Sequence, residues 1–140
     1  MLKFVVGENG KGKTKVLLEH ANTQAKTDNG LIVYLDKNKK HIYDLDKKIR
    51  LCDVSDYCEF NNKTLKGFVC GLVAGNHDIN AIYIDGFLTM SDCDFKADLE
   101  PIFDEMQEFS NSSNVDFILS VSSNISRIPE KYKGAIIAAL

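Results

Sequence analysis

One octapeptide, Gly7-Glu8-Asn9-Gly10-Lys11-Gly12-Lys13-Thr14, constrains this chain more than any other stretch of it. A segment so rich in glycine continues neither a helix nor a strand, yet its flanks suit both. Leu2 to Val6 is an apolar run that stops abruptly at Gly7, as a buried strand does on entering a turn. Gly12 to Gln24 sets Val16, Leu17, Leu18 and Ala21 on one helical stripe. Strand, tight loop and helix in that order fit G-x-x-x-x-G-K-[ST] at every fixed position. Glycines let the backbone curl until successive N–H groups converge on an anion, where a Cβ would block the approach. Lys13 adds a mobile point charge, and the Thr14 hydroxyl adds an oxygen ligand for a cation bridging the same anion.

The remaining chain repeats the alternation. Asp28, Asn29 and Gly30 stop the first helix before the apolar run Leu31 to Leu35, which ends at Asp36. Ile42 to Leu45 and Ile49 to Val54, separated by Asp46, Lys47 and Lys48, read as a small hairpin or an extended excursion. A helix is predicted over Thr64 to Ala74, closed by Gly75 and Asn76, and then a strand over Ala81 to Asp85. Phe95, Leu99, Ile102, Phe103, Met106 and Phe109 mark an amphipathic helix from Asp94 to Phe109, with Pro101 tolerated near its start or at a kink. Val115 to Val121 is a further strand, and Pro129 to Leu140 reads as a helical turn followed by an edge strand or terminal helix over Ala135 to Leu140. Such alternation predicts one α/β domain over 1–140 with a mainly parallel sheet.

Composition narrows the function classes. A net charge of -3 and a pI near 5.6 give no global attraction to nucleic acid or an anionic membrane. The basic cluster Lys37, Lys39, Lys40, Lys47, Lys48 and Arg50 is interleaved with Asp36, Asp44 and Asp46, so it reads as a solvated excursion. Cys52, Cys58, Cys70 and Cys93 form no CxxC pair, which speaks against a zinc site with His20, His41 or His77. With no secretory signal and no membrane-length apolar stretch, a cytoplasmic location with reduced thiols is expected.

On the loop, its place after the first strand and the later strand Ala81-Ile82-Tyr83-Ile84-Asp85, the chain resembles the P-loop NTPase superfamily. The resemblance implies a three-layer fold with a mainly parallel five-stranded sheet and the Walker A loop after strand one. It implies ATP with Mg2+ held by Gly7, Glu8, Asn9, Gly10, Lys11, Gly12, Lys13, Thr14, Lys15 and Ser122. Lys13 and Asp85 are the catalytic candidates, and Thr14 and Asp85 the metal candidates, with Asp85 holding a magnesium-bound water.

The branch follows by elimination. Gly86 stands where many ATPases of the superfamily carry a water-orienting glutamate, and no LSGGQ-like signature occurs. Leu88 replaces the glycine of D-x-x-G, and Asn38-Lys39-Lys40-His41 lacks the aspartate that reads guanine. Glu8 occupies the position of the second lysine of partition-type ATPases. Arg50 and Arg127 alone are too few for an arginine-rich kinase lid. What remains resembles a reduced RecA-like or KaiC-like core, whose strand after Walker B ends in a polar sensor; Ser120, Ser122, Ser123 and Asn124 stand there.

Parallel sheets place ligands outside the carboxyl ends of their strands, so Asp36, Asp85 and Ser122 are expected near the loop, with Asp36 or Glu8 as substitute water-orienting carboxylates. Tyr57, Phe60 and Phe68 are candidates to stack on a base, and Arg127 to reach a neighbour's phosphate in a homo-oligomer. A slow or partner-stimulated ATPase is the leading expectation. A non-hydrolysing regulatory module and a small-molecule kinase are the alternatives.

Overall fold

The computed structural model describes residues 1–57, 59–93 and 97–140. Among the described residues six strands form one sheet: β1 (Leu2–Gly7), β2 (Leu31–Asp36), β3 (Ile49–Asp53), β4 (Ile79–Ile84), β5 (Asp116–Ser122) and β6 (Ile136–Ala139), in the spatial order β3-β2-β4-β5-β1-β6. Every neighbouring pair is parallel. The expected five strands are therefore corrected to six, because both ambiguous segments are strands. Ile49–Asp53 is no hairpin arm. It runs parallel to β2, from Ile32 opposite Ile49 to Asp36 opposite Asp53. A parallel partner needs a long crossover, which residues 37–48 supply with a 3-10 turn at Ile42–Asp44. Ile136–Ala139 lies along β1, with the Leu140 N–H donating to the Val6 carbonyl at 2.9 Å.

Helices α1 (Lys13–Ala25), α2 (Asn62–Gly75), α3 (Phe87–Met90) and α4 (Glu100–Ser113) make the outer layers. On one face, α1 buries Leu17, Leu18, Ala21 and Ala25 against Val5, Ile32, Tyr34, Tyr83 and Ile118. The larger core lies on the other face, where Leu65 and Val69 of α2, Phe87 of α3 and Phe103 and Met106 of α4 meet Phe4, Leu35, Ile82, Ile84, Phe117 and Leu119. Phe103 is fully buried with its ring 4.6 Å from that of Phe4, and an aromatic side chain so placed stabilises the fold by about 2–3 kcal/mol.

α4 begins at Glu100 rather than Asp94, because Pro101 has no N–H and fits only the first turn of a helix. Asp94 and Phe95, placed in that helix from the sequence, lie outside the described residues. Among the described residues no helix is long and apolar enough to cross a membrane.

Candidate nucleotide site

Because all strands run one way, Gly7, Asp36, Asp53, Ser122 and Ala139 end them on one edge, with Asp85 immediately after β4. β5 alone separates β1 from β4. Side chains alternate along each strand, and the residues packed under α1 fix the phase: Tyr34 in β2, Tyr83 in β4 and Ile118 in β5. Two positions on, that phase gives Asp36, Asp85 and Ser120, and two further Ser122, all on the face where α1 begins.

The loop entering α1 has the backbone its glycines predict. Gly10 and Gly12 have φ of 81° and 93°, a region unfavourable to residues with a Cβ. Gly7 differs, since its φ is not positive but a Cβ there would lie a tight 3.1 Å from the Leu140 Cβ. Gly12 caps α1 with no side-chain hydrogen bond, and no acid occupies the first turn, which instead carries Lys13 and Lys15. Uncapped N–H groups, the positive end of the helix dipole and two lysines thus converge where an anion would relieve all three.

Lys13 is only 8 % exposed, and its ammonium donates to the Glu8 carbonyl at 3.0 Å. Burial pulls its pKa down, and the Asp85 charge opposes that shift. The Asp85 carboxylate takes a hydrogen bond on each oxygen: Tyr34 Oη donates to Oδ2 at 2.9 Å and Ser120 Oγ donates to Oδ1 at 2.8 Å. Ser120 Oγ in turn accepts the Gly86 N–H at 2.7 Å.

Asp36 is also 8 % exposed, and its Oδ1 accepts the Lys37 N–H at 2.7 Å. Burial raises its pKa, the Lys37 N–H lowers it, and the nearby Asp85 charge adds to the rise. Asp85 thus lies close enough to Lys13 on one side and Asp36 on the other for its charge to act on both.

The other candidates are distributed around this group. Ser122 lies in register with Gly7, and the Ser123 N–H donates to the Gly7 carbonyl at 3.1 Å. Glu8, Asn9 and Lys11 are exposed; Glu8 and Lys11 line a cleft of ≈ 320 Å³ with Gly7, Asn124, Ile125 and Leu140. Thr14 and Lys15 face His41 and Asp44 across a second groove, of ≈ 400 Å³. Thr14 makes no hydrogen bond with Asp85. Tyr57 and Phe60 line a separate cleft with Lys37 and Thr89, Phe68 packing against both rings. Arg127 donates to the Ala97 carbonyl at 3.2 Å within its own chain.

Sequence reasoning missed one member of the group, Tyr34, which it took only as part of the apolar run Leu31 to Leu35. The available signal was its place two residues before Asp36, which puts both on one face of a strand. Among the described residues no three His, Cys, Asp or Glu side chains gather as for a metal held by protein alone. Asp85, and the Thr14 hydroxyl at the start of α1, are oxygen donors of the kind that suit a hard cation that keeps waters and shares phosphate oxygens, as Mg2+ does.

No protein family matches the sequence, and no curated protein is similar to it. In structure the chain is similar to the flagellar accessory protein FlaH from Methanocaldococcus jannaschii, with a TM-score of 0.53 at 12% identity over 93% of this chain and 63% of that one. The chain thus spans less than two thirds of the neighbour's length. The likeness concerns the fold, and it supports a RecA-like fold for this chain.

Proposed function

We propose that this chain binds a nucleoside triphosphate, ATP with Mg2+, on the loop from Gly7 to Lys15, and hydrolyses it slowly or when a partner stimulates it. The observation that carries this reading is the grouping of Lys13, Asp85 and Asp36 on the sheet face beneath an uncapped, lysine-bearing helix start. The RecA-like fold supports it.

The chain's own residues divide the work as follows. Loop N–H groups and the first turn of α1 bind the phosphates, and Lys13 exchanges the Glu8 carbonyl for phosphate oxygens. Thr14 and Asp85 would hold Mg2+, which would supply neutralisation of the charge that develops on the β and γ phosphates. Asp36 takes the role left open by Gly86. Its buried carboxylate, with a raised pKa, orients the attacking water and accepts its proton. With a single short carboxylate to orient the water, turnover is slow until a partner completes the site. The cleft bounded by Asn124, Ile125 and Leu140 receives the remainder of the nucleotide.

Titrating ATP and GTP into the protein with and without Mg2+ tests this directly. ATP is expected to bind in a magnesium-dependent way and Lys13→Ala to weaken it by about 100-fold, the scale of a charge-assisted contact at 2–3 kcal/mol. Absence of magnesium-dependent ATP binding, or binding indifferent to Lys13→Ala, overturns the reading.

A further inference from the structure

Tyr34 is fully buried in the strand Leu31–Asp36, where every other residue before the terminal aspartate is apolar. A phenylalanine would fill that volume without a hydroxyl in need of a partner. The partner chosen is Asp85, 51 positions away, and the geometry around that carboxylate is closed on two sides. Tyr34 reaches Oδ2 from β2, and Ser120 reaches Oδ1 from β5, the two strands that flank β4. Each donor is itself held. Ser120 accepts the Gly86 N–H, while the Tyr34 ring lies parallel to that of Tyr83, 6.0 Å away and inclined by 12°.

Tyr83 extends the support to α1, since its hydroxyl donates to Gln24 Oε1 at 2.6 Å and lies 2.7 Å from His20 Nδ1. A phenol has one proton, so His20 meets it as the Nδ1–H donor. These bonds anchor the Tyr83 ring to α1, while the direct donors to Asp85 remain Tyr34 and Ser120.

We propose that Tyr34 is a positioning residue that aims the Asp85 carboxylate at the water shell of the magnesium ion, and so sets the affinity of the nucleotide-bound site for the divalent cation. This rests on the reading of Asp85 as the holder of a metal-bound water. Magnesium sheds its waters reluctantly, so a carboxylate that grips it through water must accept from a fixed direction. One hydroxyl on each oxygen leaves the other lone pairs in a set orientation for that contact.

The test uses Tyr34→Phe, which keeps the ring, its volume and its stacking. A fluorescent ATP analogue reports binding, first in EDTA and then across a Mg2+ titration. Tyr34→Phe is expected to raise the Mg2+ concentration at half-saturation by about 10- to 100-fold, the usual cost of losing an outer-shell partner. Nucleotide affinity in EDTA is expected to stay within about twofold, while Tyr83→Phe, which leaves both donors to Asp85, moves neither quantity. A merely structural tyrosine would instead lower the melting temperature and both affinities together, and that result overturns the proposal.

Asp85→Asn distinguishes the metal-binding role of Asp85 from the positioning role of Tyr34. If it leaves the Mg2+ dependence intact, the reading of Asp85 fails and the positioning role falls with it. If it removes the dependence while Tyr34→Phe leaves the titration at wild type, only the positioning role is overturned. Should Tyr34→Phe not fold, Ser120→Ala removes the other donor and is expected to shift the Mg2+ titration in the same direction; no shift there overturns the proposal as well.

Discussion

Asp36 shows how much a single side chain records about the site. Burial and the Asp85 charge hold its pKa above the ordinary 3.8, so the folded chain binds that proton more tightly than the unfolded chain does. The ionised form therefore costs stability. The cost sets in as the pH climbs from about 3.8 through the raised value, and it is complete above that value. Asp36→Asn is expected to melt at a higher temperature than wild type at pH 7, with the difference closing toward pH 4, as calorimetry at a series of pH values will reveal. Steady-state turnover is expected to fall by a factor on the order of 100 in the same variant, the smaller end of what a general base contributes. A stabilised protein with unchanged turnover would leave Asp36 buried without a chemical role.

At the scale of elements, α2 is the clearest case of a local signal with a local effect. Asn61 accepts the Thr64 N–H at 3.0 Å, and Thr64 Oγ1 accepts the Asn61 N–H at 2.7 Å, a reciprocal cap. Asn61→Ala is expected to cost about 1 kcal/mol in denaturant unfolding and to leave ATP affinity at wild type, because this helix start lies across the sheet from α1. The sequence was most readable where one element decides its own shape. The glycine loop carries its own motif, and the runs that became β1, β2, β4 and β5 are nearly all apolar and largely buried, so they read as strands without help from their neighbours. β3 was ambiguous because Ile49-Arg50-Leu51-Cys52-Asp53 is an edge strand with Arg50 exposed, and only its pairing with β2 shows what it is. β6 was ambiguous because a short apolar run fits a helix equally well, and its partner β1 lies at the other end of the chain. Gly10, Gly12 and Lys13 could be named from the motif. For Tyr34 the sequence placed the side chain on the face of Asp36 but not its partner, since the hydrogen bond to Asp85 depends on strand order.

For the whole molecule, ligand binding and folding are one equilibrium. At a concentration 100 times its dissociation constant, magnesium ATP is expected to stabilise the native chain by about 2.7 kcal/mol, which raises the melting temperature of a protein this size by roughly 10 °C. Lys13→Ala is expected to lose that rise at the same nucleotide concentration, and differential scanning fluorimetry over an ATP series will measure both. An equal rise in wild type and variant would move the ligand away from the loop. The all-parallel sheet also gives the molecule a front and a back. At the back, where β2 and β4 begin, Asp28 accepts from the Gly30 N–H and from Asn80 Nδ2, both at 2.7 Å, and nothing of the site is near. The exposed turn at His77 belongs to this blind end, whereas Asn38 projects from the working one. A dye or tether attached at His77 would hold the protein on a surface with its loop turned outward to solution, and the same attachment at Asn38 would turn the loop to the wall.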